Sequence, residues 1–124
     1  MNNIFSKLHL FPVLLLVSVT ASGPASADTV SAGENHTCML KSNGKAYCWG
    51  RNGSGQLGDG STTMQTEPVA VSSDLEFAEL SIGVDHVCGV SADDDVYCWG
   101  DGGAGKLGTR SADNKLTPTE VARK

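Results

Sequence analysis

From Asp28 onward, apolar and polar side chains alternate along short runs that are separated by glycine, asparagine and aspartate. This two-residue period is typical of β-strands, whose successive side chains point to opposite faces of a sheet. It predicts strands over residues 29–32, 36–41, 45–50 and 68–71. Pro68 opens the fourth strand, and its missing N–H indicates an edge position.

The whole pattern is repeated once. Residues 30–71 align without a gap with residues 80–121, and every histidine, cysteine, tyrosine and tryptophan in one copy is matched in the other. The second copy predicts strands near residues 77–82, 86–91, 95–100 and 118–121. Four strands per unit of about fifty residues are the content of one propeller blade.

Both faces of the predicted hairpins are apolar. Cys38 and Leu40 share a face with Cys48, whereas Tyr47 and Trp49 point to the other face. A hairpin that is apolar on both sides requires cover on both sides, as in stacked sheets. We therefore predict an all-β fold of two four-stranded blades of a β-propeller, over residues 28–74 and 75–124.

The first 27 residues contain no cysteine, tryptophan or tyrosine. Lys7 precedes an apolar run from Leu10 to Val19, and small residues follow up to Ala27. The run is shorter than the roughly 20 apolar residues that a transmembrane helix needs. We predict a signal peptide over residues 1–27, cleaved between Ala27 and Asp28, and a secreted or periplasmic mature protein that has no membrane segment.

The net charge of the chain limits the classes of molecule that it can bind. The formal net charge is −5, and removal of Lys7 with the signal peptide changes it to −6. Nucleic-acid binding needs clustered lysine and arginine, whereas the basic residues here are scattered. We expect no nucleic-acid partner.

Four cysteines in a short exported chain indicate disulfides, and four allow three connectivities. With Ser42-Asn43-Gly44 as a hairpin loop, Cys38 lies directly across from Cys48, and the second copy places Cys88 across from Cys98. Opposed strand residues lie close enough for a disulfide, so we predict Cys38–Cys48 and Cys88–Cys98. A metal site built from His36, Cys38 and Cys48 is the alternative, but the cysteine spacing of zinc sites is absent.

Two glycine-rich segments resemble nucleotide-binding loops. Residues 53–58 and 103–108 both fit G-x-G-x-x-G, but that fingerprint must open a helix, and here the chain continues as a loop. Residues 100–106 fit G-x-x-x-x-G-K, but Leu107 replaces the hydroxyl residue that would ligate magnesium. We expect no nucleotide or other cofactor.

The remaining candidates for chemistry also have a structural interpretation. His36 and His86 could serve a hydrolase, but their equal repeat positions favour a structural role in which a ring nitrogen bonds a backbone carbonyl. Residues 93–95 are three aspartates at a hairpin tip and lack the ligand spacing of a calcium loop. Trp49 and Trp99 could stack on a sugar or peptide, but are more simply core residues. We predict no catalytic residue and no metal site.

The repeat resembles a known family. The residues that carry the resemblance are Ala32-Gly33-Glu34-Asn35-His36, Trp49-Gly50-Arg51-Asn52, Gly55-Gln56-Leu57-Gly58-Asp59-Gly60 and Pro68-Val69. They are similar to the regulator of chromosome condensation repeat, and the second copy departs from it at Asp101-Gly102, Lys106 and Thr109. The resemblance implies part of a seven-bladed propeller that binds macromolecules through its faces and loops. The nucleotide exchange of the nuclear member acts on intracellular partners, so we do not expect it in an acidic exported chain.

The sequence thus predicts an exported propeller repeat protein, not an enzyme, that binds another protein or further copies of itself. Two repeats are fewer than the seven that the resemblance implies, and the second repeat ends at Val121, close to Lys124. We expect a fragment of a longer repeat array, with two-unit chains assembling into a ring as the alternative. A hydrolase using a histidine and an aspartate, or a non-functional gene fragment, are the other hypotheses.

Overall fold

The computed structural model describes residues 27–124. The predicted signal peptide lies outside the described residues except for Ala27. Within residues 27–124, no helix has the length and apolar character to cross a membrane.

The described residues form two antiparallel four-stranded sheets, each with its strands in chain order. Blade 1 consists of β1 (Thr29–Ala32), β2 (His36–Leu40), β3 (Ala46–Gly50) and β4 (Gln65–Ala70). Blade 2 consists of β5 (Phe77–Ile82), β6 (His86–Ser91), β7 (Val96–Gly100) and β8 (Lys115–Glu120). The predicted fold class, two four-stranded blades, is confirmed.

The last strand of each blade differs from the prediction. β4 begins at Gln65 and β8 at Lys115, three residues before Pro68 and Pro118, which lie inside the strands. Both are edge strands in the sheet order, so the missing proline N–H is tolerated there. The register shifts just before Gly50 and Gly100, and this irregularity lets pairing continue to the early residues of the edge strand.

The central hairpins have the predicted register. Cys38 pairs with Cys48 and Cys88 with Cys98, and each pair is disulfide-bonded, with Cα atoms 4.0 and 4.1 Å apart. The first hairpin turns at Gly44 with φ of +85°. In the second hairpin Asp94 takes φ of +68°, a conformation that aspartate adopts more readily than most residues.

We call the cysteine-bearing side of each sheet its back face and the tryptophan-bearing side its front face. The core lies between the back face of blade 1 and the front face of blade 2. One buried cluster joins the two faces, and its members are Cys38, Leu40, Ala46, Cys48, Leu57, Val71, Phe77, Leu80, Val87 and Trp99. The two blades therefore cover each other on one side only.

Candidate interaction surfaces

The boundary between the blades, which we call the seam, is anchored by Trp99. Its side chain is 0% exposed, and its indole N–H donates to the main-chain oxygen of Gln56 in blade 1 at 3.1 Å. The Phe77 ring lies beside it, with centroids 5.7 Å apart. A buried indole needs an acceptor for its N–H, and here that acceptor comes from the neighbouring blade.

The glycine loop of blade 1 has the shape that Trp99 requires. Gly58 has φ of +68°, and a Cβ atom there would lie 2.6 Å from the indole nitrogen. Only glycine combines this conformation with so close an approach. The glycine-rich loop that fits the G-x-G-x-x-G pattern thus covers the tryptophan of the next blade.

Gln56 also links the blades through its side chain. Its amide nitrogen donates to Asp85 Oδ1 at 3.3 Å, and its amide oxygen accepts from the N–H of Ser54 at 2.8 Å. Main-chain bonds cross the seam as well, from the N–H of Gly60 to the oxygen of Leu116 at 3.0 Å and from the N–H of Phe77 to the oxygen of Gly44 at 2.8 Å. The seam is therefore both apolar and hydrogen-bonded.

Asn52 holds the glycine loop in this shape. Its buried amide donates to the main-chain oxygens of Ser61 and Thr63, each at 3.0 Å, and accepts from the N–H of Leu57. Burial raises the pKa of Asp59, but hydrogen bonds from the N–H and hydroxyl of Ser61 and from Asn52 outweigh it, so this pKa lies below its usual range. In blade 2, Gly102 stands at the Asn52 position and its N–H donates instead to Asn114.

The two histidines lie at matched hairpin turns. The N–H of Gly33 donates to the oxygen of His36, and the N–H of Gly83 donates to that of His86, both at 2.8 Å. A Cβ atom on either glycine would collide with the imidazole of its own turn. This contact explains the glycine three residues before each histidine.

His36 does not make the bond that the sequence suggested. Its ring is buried in the seam, and neither nitrogen has a hydrogen-bond partner among residues 27–124. Burial lowers the pKa of His36, with Asp85 raising it and His86 lowering it further. Among the described residues, His36 therefore does not form the hydroxyl and carboxylate contacts that the hydrolase hypothesis requires.

The repeat geometry agrees with the sequence comparison. A family described as Regulator of chromosome condensation (RCC1) repeat matches residues 28–56 and 77–106, and a second description of the same repeat matches residues 43–90 and 93–123. The chain belongs to the RCC1 repeat family.

Three solved structures have a similar fold. The chain superposes on Prp20p from Saccharomyces cerevisiae, described with its binding to Gsp1p and histones, with a TM-score of 0.71 and 22% identity. It also superposes on yeast RCC1 (Prp20) from a complex with Kap60, with a TM-score of 0.72 and 20% identity. A third match is human WBSCR16, with a TM-score of 0.65 and 24% identity. The matches cover 77%, 83% and 76% of this chain but 25%, 26% and 25% of those chains. These proteins and this chain share the propeller fold, and this chain spans about a quarter of their length.

Within residues 27–124, the RCC1 repeats leave two sheet faces without a neighbouring blade. On the front face of blade 1, Val30 is 62% exposed, whereas its counterpart Leu80 is 9% exposed. On the back face of blade 2, Val96 is 40% exposed, whereas its counterpart Ala46 is 6% exposed. Sequence position alone does not distinguish these pairs, because burial here depends on which side of a blade is covered.

The other candidate site residues from the sequence analysis do not come together in one site. The prediction that both tryptophans are core residues holds for Trp99, which is buried, but Trp49 is only partly buried on the front face of blade 1. Asp93 and Asp94 lie exposed at the hairpin tip, and Asp95 pairs with Arg123. The Cys38 sulfur is bonded to Cys48 and not to a metal. Within residues 27–124, no three histidine, cysteine or acidic side chains are grouped as metal ligands.

Proposed function

We propose that the mature chain is an exported RCC1-repeat module that binds another polypeptide through its uncovered blade faces. The observation that carries the proposal is the contrast between matched positions: Val30 is exposed and Trp49 partly exposed, whereas Leu80 and Trp99 are buried. An apolar sheet face of this kind marks an interaction site. The binding of Prp20p to Gsp1p and histones supports a protein partner by analogy of fold.

Export is the second part of the proposal. Both cysteine pairs are disulfide-bonded, which fits an oxidising compartment, and the predicted signal peptide supplies the route. We expect the mature protein in the secreted or periplasmic fraction, beginning at Asp28. N-terminal sequencing of the fractionated protein checks this, and a cytoplasmic protein that retains residues 1–27 would contradict it.

Two blades with one open face at each end need cover at those faces. We propose a longer repeat array, of which this chain is a fragment, as one source of that cover; a ring of two-blade chains is the alternative. The intact mass of the protein purified from its native host measures this directly. A mass larger than that of residues 28–124 supports the array, and a mass equal to it contradicts the array.

The binding role is tested with a photo-crosslinking amino acid at Val30, introduced into the full chain in its native host. We expect a crosslinked second polypeptide, identified by mass spectrometry. The same substitution at Val84, which is exposed in the turn between β5 and β6 and lies on neither open face, is the control. Equal labelling at Val30 and Val84, or no labelling at Val30, would contradict the proposed function.

A further inference from the structure

The front face of blade 1 and the back face of blade 2 are open. Their equivalents in the other blade, the front face of blade 2 and the back face of blade 1, form the seam. We propose that copies of this chain associate head to tail, with the front face of blade 1 in one copy seated on the back face of blade 2 in the next. This inference rests on the proposed binding function and names the partner, a second copy. It takes further copies, and not a longer array, as the source of the missing cover, and the intact mass of the protein distinguishes the two. The occupied seam supplies the template for the contact.

The front face of blade 1 is built like the front face of blade 2, apart from the positions of Phe77 and Gly89. In blade 2 the Phe77 ring lies over Gly89, where a Cβ atom would come within 2.7 Å of it. Blade 1 has Met39 at the Gly89 position, and the residue at the Phe77 position, Ala27, is removed with the predicted signal peptide. Met39 pairs with Val30 in the sheet and lies on the same face as Trp49, so it adds apolar surface where blade 2 has a glycine.

The back face of blade 2 offers the matching surface. The partly exposed Val90 and Cys88 and the exposed Val96 correspond to Leu40, Cys38 and Ala46, which are all buried in the seam. A second copy would bury them in the same way.

The glycine loop of blade 2 can receive a tryptophan. Gly108 has φ of +70° and is exposed, whereas its counterpart Gly58 has φ of +68° and is buried against Trp99. The main-chain oxygen of Lys106 stands where that of Gln56 accepts from Trp99. Trp49 of a second copy therefore meets both a glycine that leaves room for it and an acceptor.

The polar contact of the seam also has a counterpart. Gln56 reaches Asp85 across the seam, and the equivalent positions are Lys106 and Asn35, with Glu34 adjacent to Asn35. Lys106, Asn35 and Glu34 are all exposed, and Lys106 pairs within its own blade with Asp101. The lysine can donate to the asparagine oxygen or the glutamate of a second copy, so the contact is complementary in charge.

This contact joins two different surfaces, so it is heterologous and produces a ring or an open filament. Propellers contain about four to eight blades. A closed ring of two-blade chains therefore contains an even number of blades, supplied by two, three or four copies.

The test uses two charged variants of the full chain, purified after export. Val30→Lys blocks only the front face of blade 1, and Val96→Glu blocks only the back face of blade 2. Both valines are exposed in the single chain, so folding is expected to survive, which far-UV circular dichroism and retained disulfides verify. Burying an unpaired charge is unfavourable, so each variant alone should associate at least about tenfold more weakly than the unmodified chain.

The decisive measurement is a mixture of the two variants, followed by sedimentation velocity. A head-to-tail contact predicts that the mixture forms one-to-one dimers and nothing larger, because one intact front face and one intact back face remain. Val84→Lys, an equally exposed valine outside both faces, should leave the association of the unmodified chain unchanged.

Three outcomes overturn the inference: a chain that stays monomeric at all concentrations, a mixture that shows no dimer, or one variant that still self-associates fully. A monomeric chain that crosslinks through Val30 to a different protein would overturn only this inference and leave the proposed binding function standing. Crosslinking of Val30 to residues near Val96 of a second copy would support both.

Discussion

The indole N–H of Trp99 donates to the main-chain oxygen of Gln56, 3.1 Å away, although the two residues belong to different blades. The loop that carries Gln56 is fixed by Asn52 and reaches over the tryptophan of the next blade. One blade therefore completes the core of the other. Equivalent positions in the two repeats therefore contribute differently to stability and association, because only one of each pair is covered by the other blade.

Trp99 and Trp49 test this dependence because they occupy the same repeat position. Trp99→Ala empties a fully buried site and should reduce the free energy of unfolding by about 3–5 kcal/mol. Trp49→Ala removes a partly exposed side chain and should cost under about 2 kcal/mol. Urea denaturation in the Val30→Lys background, where self-association is blocked, gives the comparison. Equal costs would contradict the one-sided seam.

Gly58 and Gly108 form a second matched pair. Alanine at either position takes a left-handed conformation, which costs roughly 1–3 kcal/mol. Only Gly58→Ala also places a Cβ atom against the Trp99 ring, so its cost should exceed that of Gly108→Ala and be accompanied by a change in tryptophan fluorescence. Equal unfolding midpoints and unchanged fluorescence would show that the loop does not position the indole.

The two disulfides should differ in their resistance to reductant. Cys38 and Cys48 are fully buried in the seam, whereas Cys88 is partly exposed on the open back face of blade 2. Graded reduction followed by alkylation and mass spectrometry should modify Cys88 and Cys98 before Cys38 and Cys48, because thiol exchange requires access to sulfur. Simultaneous modification at low reductant would argue against this order.

Loss of either disulfide should also lower stability. Each closes a loop with a sequence separation of 10, for which the chain-entropy model gives about 2.5–3 kcal/mol. The paired Cys88→Ala and Cys98→Ala variant should lose about this amount in urea denaturation. A loss under about 1 kcal/mol would show that the hairpin is held without its cystine.

Much of this architecture is encoded locally, which is why the sequence predicts it. The alternation around Cys38 and Cys48 determines the hairpin register, and the repeat determines the number of sheets. The difference between Val30 and Leu80 is not encoded locally, because it depends on which face another blade covers. The start of β4 before Pro68 was missed because the bulge near Gly50 depends on pairing between distant segments.

The environment of His36 could not be predicted from the sequence either. The repeat position predicted a structural role, and the ring does pack on Gly33, but the seam buries it without the expected carbonyl. A buried imidazole without partners is an unusual arrangement in folded proteins. It follows from the approach of β5 to blade 1, which no local pattern reveals.

His36 gives the chain a predicted sensitivity to acid. Burial is the largest cause that lowers its pKa, so the folded state holds the ring neutral at a pH where the unfolded chain, with an ordinary value of about 6.5, already binds a proton. The unfolded state then binds more protons, and stability falls as the pH drops below about 6.5, by at most about 1.4 kcal/mol per pH unit for one group. Above that pH, both states are neutral and this contribution does not change.

Urea midpoints measured between about pH 5 and pH 8 check this dependence, in a window above the range where carboxylates titrate. His36→Leu should flatten the curve, whatever its effect on absolute stability, because it removes the titrating group from the seam while keeping an apolar side chain there. His86→Leu is the matched variant at the same repeat position, and its partly exposed ring lies on the open back face of blade 2. If only the His36 variant loses the slope below pH 6.5, the acid sensitivity belongs to the seam between the blades; if the slope survives in it, another group is responsible.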